Sequence, residues 1–425
     1  MKILLIDPSP PGSIPAPSNH FPIGIAYIAA VAKAKGHDVA VAFGQFYSNM
    51  IDSYLATQTP DIVGIQTFIN NSEQISQISL TIKQKSNSSK IILGGVQASN
   101  APGEMLRNPN VDLIVPGEGE WIFDRILDSG IESMDHVPGI IQKGVQGQPE
   151  RNLGGRLVEN LDDIPMIPYE LFYTDRSPVG HILTHRGCPH HCSHCPLKFR
   201  AGVSIRFHSI DRTMEEIGYL KNEFGITQIE FYDENFTMDA DHVLALGEEL
   251  ARMNIRWSCT ARITEITESL ARTMVRHGCK SILFGLGSGV PRLQEILGTR
   301  EDLEHSRKLI SQMSRAGVNT VVAFSMGLPT ETVREFNETI RYALSLNATE
   351  IRLEPCAPIP GTLLHEAALR EGRFLVRDWS EYRLPGQLIY LPSGRSEMEF
   401  RFAMWQAKSI ARLKRYTNRL FRSRL

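Results

Sequence analysis

The 425-residue chain contains no run of eighteen or more apolar residues, so no segment is built to cross a bilayer as a helix. Its amino terminus, MKILLIDPSPPG, holds a short apolar strand, too short for the apolar core of a signal peptide. Net charge is only −2, so nothing in the overall balance points to nucleic acid. Cysteine is scarce, six residues in all and none before Cys188. That pattern argues against a disulfide scaffold and for a reducing cytoplasm. No G-x-G-x-x-G follows the first apolar strand, which argues against a dinucleotide, and there is no P-loop. No acid–base pair or nucleophile triad stands out. A hydrophobic content of 42% and a charged content of 22% are ordinary for a globular protein, and the length suggests two to three domains.

What is present is a cluster of thiols. Cys188, Cys192 and Cys195 stand in RGCPHHCSHCP with C-x3-C-x2-C spacing. Three thiolates on one short loop can each hold one iron of a [4Fe–4S] cluster and leave the fourth iron open to a small molecule. Clusters that only carry electrons are usually held by four cysteines. Zinc is the competing reading, with His190, His191 or His194 as fourth ligand, but zinc sites usually come as two spaced pairs. Cys259 and Cys279 are isolated and read as small buried hydrophobes.

The remaining pattern is α/β. Apolar runs at 2–7, 38–43, 61–68, 90–95 and 111–117 are separated by helical stretches such as 22–36. Continuous apolar strands joined by helices predict a parallel sheet covered on both faces. Five of them predict a flavodoxin-like doubly wound domain over 1–130, with its ligand beyond the carboxyl ends of the strands. Residues 131–180 read as a connector with a hairpin and the segment LDDIPMIPYELF. From 181 the βα pattern resumes, with strands at 181–187, 228–236, 255–262, 281–289, 319–329 and 350–361. Six such units predict a partial (β/α)6 TIM-like barrel over 181–370, with ligands again at the carboxyl ends. Residues 371–425 form a C-terminal helical extension.

The cysteine loop resembles the hallmark of the radical S-adenosylmethionine (SAM) enzymes, and the likeness extends over most of residues 1–370. The first domain resembles the cobalamin-binding domain that precedes the barrel in the B12-dependent subfamily. It has the P-x-G-x-x-Y approach to the first helix (Pro22, Gly24, Tyr27), a G-G loop (Gly94, Gly95, Gln97) and a G-E-G-E turn (Gly117, Glu118, Gly119, Glu120). One motif departs. The usual D-x-H-x-x-G has no aspartate here and its glycine comes one residue late, so His20 reads as a loop residue rather than a cobalt ligand. In the barrel, Asp233–Thr237 (D-E-N-F-T) resembles the segment that receives the SAM amino group. Gly285-Leu286-Gly287-Ser288 stands where the family has G-x-E-S, without the glutamate. Gly327-Leu328-Pro329-x-Glu331-Thr332 reads as a turn and helix start.

The resemblance implies three cofactors: a [4Fe–4S] cluster, SAM and cobalamin. It implies SAM contacts at His194, Tyr232, Asp233, Glu234, Asn235, Arg262, Gly285 and Ser288. It implies cobalamin contacts at Gln66, Thr67, Gly94, Gly95, Gln97, Gly117 and Glu118. Cys356, just before the P-x-P-G-T segment at the barrel mouth, is a weak candidate for a substrate-facing thiol. Its default reading is a packed one. The implied activity is C-methylation of an unactivated carbon, by a 5′-deoxyadenosyl radical and methylcobalamin. The alternatives are a radical cyclisation or rearrangement with cobalamin in a non-methylating role, and a regulatory protein that binds cobalamin or SAM without turnover. A methylthiotransferase is disfavoured, because those enzymes carry further cluster cysteines in the first domain. Expected partners are a small-molecule substrate and a reducing donor of flavodoxin or ferredoxin type, with no nucleic acid. Residues 401–425 hold eight Arg or Lys and no acid. They read first as a helix docked on the barrel, and alternatively as a peripheral contact with an anionic membrane.

Overall fold

Both groups of apolar runs form parallel strands, in two sheets. The computed structural model describes residues 1–8, 21–144, 148–173, 179–196, 202–378 and 381–422. The first sheet contains β1 (Lys2–Pro8), β2 (Asp38–Gly44), β3 (Ile62–Thr67), β4 (Lys90–Gly95) and β5 (Leu113–Val115). Their order is β2-β1-β3-β4-β5, all parallel. This is the flavodoxin-like order, whose direction reverses between β1 and β3 and leaves a crevice there. The hairpin expected in the connector, β6 (Ile141–Lys143) and β7 (Pro149–Arg151), adds antiparallel to β5, so the sheet has seven strands rather than five.

The second sheet is the partial barrel. It runs β15-β14-β13-β12-β11-β8, all parallel. The strands are β8 (Val179–Ile182), β11 (Gln228–Phe231), β12 (Arg256–Ala261), β13 (Cys279–Gly287), β14 (Asn319–Met326) and β15 (Glu350–Pro355). The barrel helices start at side-chain caps. Ser209, Asp239, Thr267, Asp302 and Thr332 each accept a backbone N–H of the first turn, which satisfies donors the helix itself cannot. Glu331 accepts from the N–H groups of Gly327 and Leu328, so the G-L-P-x-E-T segment is a turn and helix start, as read.

LDDIPMIPYELF is a packed bridge. Leu161, Ile164, Ile167, Tyr169 and Phe172 are all buried, in an apolar core that runs continuously from Ile3 in the first sheet to Leu353 in the barrel. Each such side chain contributes about 1.5–3 kcal/mol when fully buried, so the two sheets are held as one body. The chain then forms a short antiparallel pair, β16 (Gly372–Phe374) with β17 (Tyr390–Pro392), and ends in the helix Glu397–Arg422. That helix docks on the barrel through Phe400, Met404, Ala407 and Ala411. Lys408 and Arg415 pair with Glu354 and Glu350 of β15 at 3.2 and 3.0 Å. Among the described residues no helix is long and apolar enough to cross a membrane.

The strand expected over 181–187 is broken in two, and the cause is Asp233. Its Oδ1 accepts from Thr184 N (2.9 Å), Thr184 Oγ1 (2.9 Å) and His185 N (2.7 Å), and it pairs with the His185 imidazole at 2.7 Å. A carboxylate that takes these donors pulls the chain out of the sheet after Ile182. The continuation, β9 (His185–Arg186), pairs antiparallel with β10 (Arg206–Phe207) instead. Burial opposes charge on Asp233, but His185 and Thr184 together hold its carboxyl below the usual aspartate range. A depressed folded pKa stabilises above the unfolded value of about 3.9 and loses that contribution as pH falls. Asp233→Asn should therefore lower the unfolding free energy by about 3–5 kcal/mol at neutral pH. It should also flatten the acid limb of stability against pH, read by urea denaturation across a pH series.

Candidate functional site

The bend at Asp233 delivers the cysteine loop to the barrel mouth. Cys188, Cys192 and Cys195 are half-buried and form no disulfide. Neighbouring elements hold the loop from outside. Ser193 N donates to Leu297 O (2.9 Å), Ser193 Oγ to Ile296 O (2.6 Å), and Leu364 N to Ser193 O (2.9 Å). Gly298 ends the helix Pro291–Leu297 in the left-handed region, at φ 71°. A Cβ there would lie 3.0 Å from His191 O, so only glycine lets this helix end approach the loop. His190 pairs with Glu265 at 2.7 Å, and Glu265 also accepts from Asn235 Nδ2 at 2.7 Å. Among the described residues no three His, Cys, Asp or Glu side chains gather around a single ion.

The residues expected to contact SAM divide into two groups. Tyr232 and Glu234 line the space between the domains. Gly285 faces open space. Asn235 is buried and ties Arg262 N (2.9 Å) to Glu265. Arg262 reaches Cys192 Sγ at 3.4 Å. His194 is held toward its neutral form by burial and by Arg262. Asp233 is committed to the strand break. Ser288 is fully buried, its hydroxyl shared with Thr339 Oγ1 (3.0 Å) and Val290 N (3.1 Å). Cys356 lies buried among Leu328, Leu364 and Val290, and burial pushes its thiol well above the ordinary range.

A cavity of about 340 Å³ lies at the carboxyl ends of β1, β3, β4 and β5. This is the crevice where strand order reverses. Gln66, Gly94, Gly95, Gly117 and Glu118 line it from the first domain. Leu183, Arg186, Tyr232 and Glu234 close it from the barrel. Thr67 and Gln97 are buried beside it without lining it. Thr67 Oγ1 bonds Gly94 O and Ala98 N, each at 2.8 Å, and so shapes the glycine loop from behind. His20 lies outside the described residues.

Four largely buried charges lock the two domains at the cavity edge, and the two arginines among them were unforeseen. Glu120 pairs with Arg186 at 2.7 Å, and Glu118 with Arg206 at 2.5 Å. Glu118 also accepts from Val158 N at 2.9 Å. Arg186 lies over the Tyr27 ring at 4.6 Å. Burial opposes charge on Glu120, yet Arg186 holds its carboxyl below the ordinary range. The G-E-G-E turn therefore does more than border a ligand: its carboxylates clamp the barrel. No motif marks Arg186, Arg206, Glu265, Thr299 or Glu301, because each is recognised only by the partner it meets in space.

Residues 182–343 match the model of the Radical SAM superfamily, and residues 13–127 that of the B12 binding domain. A protein of Pyrococcus horikoshii described as an uncharacterized methyltransferase is 28% identical over 93% of this chain and 89% of its own length. Cytidylyl-2-hydroxyethylphosphonate methyltransferase of Streptomyces wedmorensis is 25% identical over 100% of this chain and 90% of its own. The fold matches that of the radical SAM methyltransferase TsrM from Kitasatospora setae with TM-score 0.73, at 18% identity, covering 92% of this chain and 80% of that one. The residues fit the three cofactors. Three thiols suit a cluster with one open iron, a glycine-lined crevice suits the close approach of a large ligand, and Tyr232 and Glu234 line that crevice from the barrel side.

Two substitutions should separate the sites. Gly298→Val should lower the iron and sulfide bound per chain after anaerobic reconstitution, with cobalamin binding retained. A Cβ at Gly94 would make only ordinary contact, 3.6 Å from Val115 O, so Gly94→Leu fills the cavity without displacing backbone. It should abolish cobalamin absorption bands and leave the iron content unchanged.

Proposed function

We propose that this chain, a radical SAM enzyme carrying a B12-binding domain, is a cobalamin-dependent C-methyltransferase acting on an unactivated carbon of a small molecule. The observation that carries the reading is a cavity walled by both domains, whose barrel side includes Leu183 and Arg186, on the segment that leads into the cysteine loop. When bound, the cluster and SAM supply one-electron cleavage of a carbon–sulfur bond and hydrogen abstraction, and cobalamin supplies the methyl group. The protein's own part is placement. Cys188, Cys192 and Cys195 hold the cluster at the carboxyl ends of the barrel strands. Residues 1–130 hold the corrin, through Gln66, Gly94, Gly95 and Gly117. Tyr232 and Glu234 contribute the wall between the two reacting regions, and Arg186 with Glu118 and Glu120 keeps that wall at a constant separation. The predominantly apolar lining excludes water from radical chemistry.

The full-length matches to proteins described as methyltransferases support methylation over cyclisation. A donor of flavodoxin or ferredoxin type would supply the electron that a cluster on this loop requires, and a reducing cytoplasm suits three thiols that must stay free to bind it. Phe402, Trp405 and Leu413 stand exposed on the outer face of the C-terminal helix, and they are what supports a peripheral membrane contact there.

The test is turnover by anaerobically reconstituted protein with SAM, cobalamin and strong reductant. Both 5′-deoxyadenosine and S-adenosylhomocysteine should appear, with a substrate product heavier by one CH2. 5′-Deoxyadenosine without S-adenosylhomocysteine or added carbon would point to rearrangement and sink the methylation reading.

A further inference from the structure

We propose that Arg262 is a positioning residue for electron transfer: its guanidinium holds Cys192 and sets how readily a cluster on this loop accepts an electron. The proposal rests on the cluster reading of the cysteine loop. The resemblance assigned Arg262 to SAM, but both terminal nitrogens of its guanidinium already have partners within the protein. Nη1 donates to Cys192 Sγ at 3.4 Å. Nη2 donates to Thr299 O at 2.5 Å and pairs with Glu301 Oε1 at 2.8 Å. The side chain is 16% exposed and that of Glu301 only 2%. The backbone is held as well, since Arg262 N donates to Asn235 Oδ1. Thr299 and Glu301 lie within three residues of Gly298, where an added Cβ would meet His191 and Cys192. The guanidinium is therefore built into the wall behind the loop. Turning its terminal nitrogens to an outside carboxylate would release Cys192 and take the countercharge from Glu301.

A positive charge so placed has a definite electrostatic consequence. One electron from a low-potential donor adds one negative charge to a cluster. A cation beside a ligating sulfur stabilises that added charge and raises the reduction potential, more so where water is scarce. Glu301 opposes the effect by sharing the same guanidinium. The two side chains should thus shift the potential in opposite directions, which a merely structural pair would not do.

The test is an EPR-monitored redox titration of the reconstituted full-length protein without SAM, with iron content and cobalamin absorption as fold controls. Arg262→Gln should move the midpoint to lower potential, Arg262→Lys should move it less, and Glu301→Gln should move it higher. Equal midpoints in wild type and Arg262→Gln, with weakened SAM binding in equilibrium dialysis, would overturn the proposal and return Arg262 to a SAM contact. Shifts of the same sign in Arg262→Gln and Glu301→Gln would overturn it too, as general disturbance of the loop. If wild-type protein assembles no cluster, the cluster reading itself fails, a result distinct from either.

Discussion

Two glutamates of the first domain and two arginines of the barrel meet out of water, and the geometry of the whole site depends on that meeting. Glu118 and Glu120 end the loop after β5, while Arg186 and Arg206 stand on the β9–β10 pair that carries the cysteine loop. Buried charges tolerate few arrangements, because each must stay paired. The crevice of one domain is thereby registered against the barrel mouth of the other. The ring of Tyr27 under Arg186 adds the first helix of the domain to the same joint. An apolar interface alone could slide, whereas paired charges in a dry interior specify one register.

A second constraint lies one step inward. Asp233 gathers the donors of Thr184 and His185 and turns the chain off the barrel sheet. Without that turn β8 would run on, and Arg186 would not reach Glu120. The same bend brings Cys188 to the barrel mouth, where the helix end at Gly298 and Arg262 receive the loop from behind. The strand break, one arginine of the clamp (Arg186) and the cysteine loop are thus consecutive parts of one short segment, 182–196.

Much of the site was legible because its signals are local. Three cysteines within eight positions must share a loop whatever the fold. Apolar runs with helical spacers must make covered parallel strands. Gly94, Gly95 and Gly117 follow strands whose carboxyl ends bound the crevice, so their place follows from the pattern. What could not be read were side chains whose direction depends on distant partners. Thr67 and Ser288 sit in ligand-like loops but turn inward, because Ala98 and Thr339 offer hydrogen bonds there. Cys356 stands beside the barrel mouth in sequence, yet Leu328 and Leu364 enclose it. Glu118 was visible as a motif, but its arginine partner lies 88 residues away.

The sequence by itself determined the class of fold and the grouping of its thiols: two parallel sheets, and three cysteines gathered on one loop after the first barrel strand. These follow from spacing and periodicity, which need no knowledge of what lies across the interface. Only the tertiary structure decided which of the conspicuous residues face the reaction space and which hold the protein together. That choice turns on burial and charge pairing, and a carboxylate or guanidinium settles it by the partner it finds rather than by its neighbours in the chain.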